Sequence, residues 1–430
     1  MTSIRILKTI SFMAIFALAA CSPATVQEVT TPKSEIQVSE RTERLDSLLS
    51  SLTQEKAVPG ISLLVIENGK ETYFNVQGYM DQENQIPQTR DSVARYYSMT
   101  KPIVGVALMT LFEDGKFALD DPIAKYLPEY SELKVYVTGD DTSQSTLVDP
   151  VRPVTIRDLM RHTSGMTYGL FTNTAVDQMY REAGTLSLED SNAKLSQKLG
   201  KLPLQVQPGT KWIYSVSVDV QGRLIEVLSG KSLGEFLSET IFEPLQMKHT
   251  GFTVKPNDRE LFGPAYRLGK TGLSRLSDEG RNTPITVEDM FVQDVAFESG
   301  GSGLVSTIDD FAQFAKMLLG KGALGDVRII QPKTLAMMTR DQLDDADHGW
   351  LGKDMGFGLN FAIKTGAVTE GSLPQPVGSY GWGGLAGTYF WIDPQNQLTV
   401  VLQIQVLGHE HANIRKRIVA AVYGVTLPVN

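Results

Sequence analysis

The stretch "YYSMTKPIVGVALMTLFEDGK", residues 96–116, sets the fold. Pro102 suits a first helical turn, where its missing N–H is not needed, and Ile103 to Phe112 is apolar almost all round. A helix with no polar face is buried on every side, so the run predicts a central helix over 102–114. The polar residues at its start then stand at the floor of a cleft. They are Ser98 and Lys101. A Ser-x-x-Lys entering a helix puts hydroxyl and amine on one face with Cβ atoms about 5 to 6 Å apart, a nucleophile beside a base. The positive end of the helix dipole favours negative charge developing at that hydroxyl.

The same spacing recurs at Ser131/Lys134 and Ser191/Lys194. "PEYSELKVY" puts Ser131 in a loop heading into an extended run, and "LEDSNAKLSQKL" puts Ser191 inside a polar surface helix, so both read as solvated residues. A literal Gly-x-Ser-x-Gly stands at Gly230-Lys231-Ser232-Leu233-Gly234, and as a nucleophile elbow it would need a strand before it. It follows the helical "VQGRLIEVLS" instead, so Gly230 reads as the stop of that helix and Ser232 as the cap of the next.

Working outward, Leu45, Leu48, Leu49 and Leu52 repeat at helical spacing over 39–56. "ISLLVIENGKETYFNVQGY" then reads as two strands around Asn68-Gly69, a strong hairpin signal. Near the other end, "GTYFWIDPQNQLTVVLQIQV" (387–406) reads as a second hairpin around Asp393-Pro394-Gln395-Asn396, followed by a helix from about His411 to Tyr423. Helices are expected between them at 155–162, 187–200, 217–229, 232–241 and 307–320, with few strand-like runs. The expected class is therefore α+β: one antiparallel sheet built from both chain ends and covered by terminal helices, interrupted by a large, mostly helical insertion, with a cleft between. The sheet part covers about 39–94 and 331–430, and the helical part about 95–330.

The chain of 430 residues is 42% hydrophobic and 21% charged, which fits a globular body. Its net charge of −9 and lack of a Lys/Arg block disfavour nucleic acid, whose phosphates need a basic face. Five histidines with no HExxH and a single cysteine leave little to build a metal site from, and no cofactor is implied. His409 and His411 read as a polar lead-in to the last helix.

At the N-terminus, Arg5 and Lys8 precede the apolar run Ile10–Leu18, too short to span a bilayer, and then Ala19, Ala20 and Cys21. "LAAC" resembles the lipobox of bacterial lipoproteins, which implies cleavage before Cys21, its lipidation, and export to a membrane facing the periplasm or cell exterior. Residues 22–38, "SPATVQEVTTPKSEIQV", are polar and Ser/Thr/Pro-rich, as for a flexible spacer leading to a body at 39–430.

A serine and a lysine need a further proton carrier near neutral pH, and "PGTKWIYSVSVDVQGRLIEVLSG" places Tyr214-Ser215-Val216 just before a helix. The order Ser-x-x-Lys, Tyr-Ser, then a Gly-rich turn before a C-terminal strand pair resembles the serine β-lactamase and penicillin-binding-protein superfamily, most like class C β-lactamases and family VIII carboxylesterases. It extends over roughly 40–425 and includes "LMRHTSGM" (159–166), "IFEPLQMKHTGF" (241–252) and "SGGSGLVSTIDDFAQFAKMLL" (299–319). The resemblance implies Ser98 as nucleophile, Lys101 and Tyr214 sharing proton transfer, and His162 as a structural residue beside the site.

The family's third motif is often Lys-Thr-Gly, and Lys364-Thr365-Gly366 is present. It stands too early, with fifteen loop-like residues before the strand pair. "SYGWGGLAGTYFWID" (379–393) is in the right place, so the aligned tripeptide is Trp382-Gly383-Gly384. The resemblance then implies an oxyanion hole from the N–H groups of Ser98 and Leu385, and a substrate wall that includes Trp382, Gly383, Gly384 and Val216. With Trp382 and Val216 replacing the lysine and asparagine that bind a lactam's carboxylate and amide, the expected substrate is a small neutral ester. A β-lactamase or D-alanyl-D-alanine peptidase is the alternative, and a non-catalytic binding module on the same scaffold is a third reading.

Overall fold

The structure, a computed structural model, describes residues 38–138, 145–277, 291–293, 296–352, 354–368 and 372–427. Cys21 lies outside them. Helix α1 (Val38–Gln54) starts at the last residue of the expected spacer and precedes β1 (Gly60–Glu67) and β2 (Lys70–Asp81). The connecting Asn68 and Gly69 have φ of 50° and 76°, the left-handed pair that a tight hairpin of this twist requires. A short β3 (Ile86–Pro87) ends this half of the sheet.

The chain returns much later as β4 (Met355–Phe357), β5 (Ala362–Lys364), β6 (Tyr380–Gly383), β7 (Tyr389–Asp393) and β8 (Leu398–Gln403). The order across the sheet is β4-β5-β6-β7-β8-β1-β2-β3, antiparallel throughout. The two chain ends meet at β1 and β8, with Leu63 opposite Leu402.

Side chains alternate along each strand. Leu63 and Val65 of β1, Trp391 of β7 and Val400 of β8 point to the face covered by α1 and by the last helix, α5 (Ile414–Tyr423). Leu64 and Ile66, Phe390 and Ile392, and Val401 point to the other face, where the helical part packs. Both faces are buried, which is why β1 and β8 read as unbroken apolar runs. Between β3 and β4 the largest elements are α2 (Thr100–Glu113), α3 (Ser217–Ser229) and α4 (Ile308–Leu319). Buried residues line all sides of α2, from Thr100 through Met109 and again at Leu111, as its sequence predicts.

Several local expectations change. Ser191 is the N-cap of a helix at Asn192–Leu199, accepting a hydrogen bond from the Lys194 N–H, rather than a residue inside a helix from 187. A helix at Ala175–Glu182 was not expected, although Thr174-x-x-Asp177 closes a full capping box there. The expected helix at 155–162 shortens to Ile156–Met160, and the last helix begins only at Ile414, after a 3-10 turn at His409–Ala412. Gly230 (φ 74°) does end α3, and Ser232 caps the next helix with Glu235, so no elbow forms.

Candidate active site

Ser98 lies in a 3-10 turn, Tyr97–Met99, that runs into α2. Tyr97 has φ of 45°, a left-handed conformation that costs about 1 kcal/mol or more in a residue with a Cβ. Its neighbours fix it: the Tyr96 ring stacks on Phe311 at 4.9 Å, the Tyr96 N–H donates to the Leu304 carbonyl, and the Thr100 hydroxyl accepts from the Leu304 N–H at 3.1 Å. The Lys101 side chain is 1% exposed. Its ammonium donates to Ser98 Oγ at 3.3 Å and to the Gly301 carbonyl at 2.6 Å. The Asn360 amide holds the Lys101 carbonyl at 3.0 Å and also meets Gln221 of α3. That contact needs Gly105, since a Cβ there would come within 2.6 Å of the Asn360 amide nitrogen.

Tyr214 arrives on the segment before α3, and the Lys101 ammonium lies 4.6 Å from the centre of its ring. The Trp382 indole N–H, from β6, donates to the Tyr214 hydroxyl at 3.3 Å. Ser98 and Lys101, Tyr214, and Trp382 are thus brought together from three separate stretches of chain. His162 is fully buried behind them, 5.1 Å ring to ring from Tyr214, with Nδ1 3.3 Å from Ser215 Oγ. Burial, then the nearby Lys101 charge, push its pKa well below the usual histidine range, so it stays neutral and shapes the floor.

These groups open on a cavity of about 950 Å³ lined by Ser98, Tyr168, Tyr214, Trp382, Gly383, Gly384 and Leu385. Phe171 and Trp350 stand at its mouth, each about half exposed, and pack against Tyr214 at 5.5 and 5.8 Å. Leu385 sits in the turn after β6, and among the described residues its N–H donates to no carbonyl, which leaves it free for an oxyanion.

One expectation needs correction. Val216 does not line the cavity: it is fully buried at the N-cap of α3 and belongs to the main core, so the apolar lining comes from Phe171, Trp350 and Trp382 instead. Gly383 and Gly384 line the cavity, and the protein itself crowds the space where a side chain would stand. A Cβ at Gly383 would lie 2.6 Å from the Arg415 guanidinium carbon, and one at Gly384 2.5 Å from the Tyr96 carbonyl oxygen. Lys364 ends β5, one strand from Trp382, and is buried in an ion pair with Asp354.

The sequence reading missed four participants. The Gly301 carbonyl and the buried Asp219 lie behind Lys101. Tyr168 adds a second ring over it, 5.2 Å from the ammonium to the centroid. Arg415 of α5 donates to the carbonyls of Gly384, Gly387 and Thr388, holding the turn that carries Leu385. The Gly-rich "SGGSG" and an aspartate in the first turn of a buried helix were the available signals. Among the described residues no cluster of His, Cys, Asp or Glu could hold a metal ion.

The chain is 32% identical over 355 residues to an uncharacterized protein of Mycobacterium tuberculosis, covering 80% of this chain and 85% of that one. It is 28% identical over 371 residues to the esterase EstB of Burkholderia gladioli, covering 84% and 89%. Among solved structures, EstCE1, described as a hydrolase with promiscuous acyltransferase activity, superposes with a TM-score of 0.77 at 26% identity over 91% of this chain and all of that one. A family model described as Beta-lactamase matches residues 45–423, and the chain belongs to that family.

Proposed function

We propose that the chain is a carboxylesterase working through an acyl-enzyme on Ser98. Ser98 Oγ attacks the ester carbonyl carbon while its proton passes to the Lys101–Tyr214 pair, and the carbonyl π electrons move to an oxyanion held by the Ser98 and Leu385 N–H groups. Collapse breaks the acyl C–O bond, and the pair returns the proton to the leaving alkoxide. Water then attacks the acyl carbon by the same route, releasing the acid and restoring the Ser98 hydroxyl.

The observation that carries the ester over a carboxylated lactam is Trp382. The wall position facing Tyr214 holds an indole that donates to it, while the nearby Lys364 is turned away into its pair with Asp354. Among the described residues the cavity lining holds no lysine to meet a substrate carboxylate, and an apolar ester is the better match. The relative named as an esterase supports the same reading. Short-acyl nitrophenyl or naphthyl esters should be hydrolysed well and cephalosporins poorly by the body from residue 39 onward. Rapid cephalosporin turnover beside poor ester turnover would replace the esterase with a β-lactamase.

We also propose, from "LAAC" alone, that Cys21 is acylated and tethers the exported enzyme to a membrane, with 22–38 as the expected spacer. Labelled palmitate should enter the wild-type chain in cells and not a Cys21→Ser variant. Equal labelling of the two would remove the anchor.

A further inference from the structure

Lys101 is a cation buried to 1% exposure, and among the described residues no carboxylate forms an ion pair with it. A buried charge without a counter-charge is costly, so the compensating anion should be found nearby. Asp219, in the first turn of α3, is likewise 1% exposed, and among the described residues it forms an ion pair with no cation. A continuous chain of hydrogen bonds joins the two. The Lys101 ammonium donates to the Gly301 carbonyl at 2.6 Å. The N–H of that same peptide group, on Ser302, donates to Ser299 Oγ at 3.1 Å, and the Ser299 hydroxyl donates to Asp219 Oδ1 at 2.6 Å. Oδ1 also accepts the Gly301 N–H at 3.0 Å.

Every link in this chain donates toward the carboxylate. Hydrogen bonds aligned in one direction polarise one another, so the peptide between Gly301 and Ser302 transmits the aspartate's charge to the ammonium more strongly than an unaligned pair of dipoles would. The turn is also shaped for this arrangement. A Cβ on Gly301 would lie 2.5 Å from Tyr168 Oη and 2.7 Å from Asp219 Oδ2, so only glycine lets both oxygens close over the turn. Both are buried, and among the described residues neither has a hydrogen-bond partner, so Asp219 Oδ2 is uncompensated on its own side.

We infer that Asp219 is the positioning residue of Lys101: through the Ser299–Ser302 turn it fixes where the ammonium sits beside Ser98, and it supplies the buried negative charge that balances it. The other groups facing Lys101 are Tyr214, Tyr168 and His162, with Asn360 at its carbonyl and Arg415 beyond Tyr214. None of them offers a carboxylate. Burial, the largest influence, raises the Asp219 carboxyl above its usual range, and the Ser299 hydrogen bond and then the Lys101 charge oppose that rise.

The test compares Asp219→Asn, which keeps an acceptor for Ser299 and Gly301 but removes the charge, with Ser299→Ala, which keeps the charge but cuts the chain. The pH titration of the Lys101 ¹³Cε resonance, assigned by its loss in Lys101→Arg, needs no substrate. It therefore stands even if the esterase reading fails, and an enzyme inert to esters would count against that reading alone. Losing a negative charge weakens the hold on any nearby proton, so the Lys101 midpoint should fall by about one pH unit in Asp219→Asn. It should fall less, in the same direction, in Ser299→Ala. Where esters are turned over, the limb of kcat/KM that reports the Lys101–Tyr214 pair should move down with it, because both groups respond to lost negative charge with the same sign. A merely structural aspartate would lower Tm without moving either pH curve. Midpoints within 0.2 units of wild type in a folded Asp219→Asn, at about that precision, would overturn the inference, as they would if Asp219 were protonated in the native protein. A midpoint that moved in Ser299→Ala but not in Asp219→Asn would overturn it too.

Discussion

Ser98→Ala lowers kcat for ester hydrolysis by about ten-thousandfold or more, near 5.5 kcal/mol in the barrier, with the protein still folded. The hydroxyl is the only part removed, at the half-open end of a turn whose neighbours are held independently: Tyr96 by Phe311 and Leu304, Thr100 by Leu304. Lys101→Ala should cost a similar factor for a different reason. It removes one half of the pair that takes the serine proton and leaves the Gly301 carbonyl without its ammonium donor. The double variant should be no worse than the poorer single one, because residues that act as one unit are not additive. Steady-state kinetics with a nitrophenyl ester, together with fluorophosphonate labelling of the active serine, checks all three. Activity in Ser98→Ala within tenfold of wild type would move the nucleophile elsewhere, and additive losses in the double variant would mean that Ser98 and Lys101 do not share a step.

That pair was legible because the signal was local. A Ser-x-x-Lys followed by ten apolar residues can only start a buried helix, and the structure buries α2 on all sides. The hairpin at Asn68-Gly69 was legible for a similar reason, since two consecutive left-handed residues suit few sequences. The groups that tune the site were not. Asp219 looked like one more acid in a helix, and only the fold places it behind Lys101 by way of a turn eighty residues later in the chain. Arg415 drew no sequence reading, yet it holds the turn carrying Leu385. Val216 failed in the opposite way: the motif alignment carried it to the cavity, while its β-branched side chain packs into the core at a helix cap. Contacts over long sequence separations between single polar atoms leave no periodic trace, so they cannot be read from one chain.

Lys364→Ala tests the remaining ambiguity in the motifs, and the expected result is a loss of stability with the chemistry intact. Lys364 is 1% exposed, bonded to Asp354 and 3.3 Å from Ser372 Oγ. Removing the lysine leaves a carboxylate 7% exposed with no cation, and breaking a buried pair from one side costs about 3 kcal/mol. Burial raises the Asp354 pKa, but the hydrogen bonds from Lys364 and Ser372 together with the Lys364 charge more than offset this, so the native carboxyl lies below its usual range. A lowered carboxyl stabilises the fold above the unfolded pKa, about 4, and that contribution fades as pH falls through the native value. The deficit of Lys364→Ala should therefore be largest near neutral pH and shrink on acidification, where Asp354 takes up a proton. Lys364→Met combined with Asp354→Leu should recover most of the lost Tm, because the unpaired charge rather than a missing attraction carries the penalty. The folded fraction of Lys364→Ala should keep kcat within about threefold, a change under 1 kcal/mol in the barrier. Some rise in KM is expected, since Asp354 follows the segment carrying Trp350 and Leu351 at the mouth of the cavity. A hundredfold loss of kcat at unchanged Tm, about 2.7 kcal/mol, would place Lys364 in the chemistry and give the third motif back to Lys-Thr-Gly.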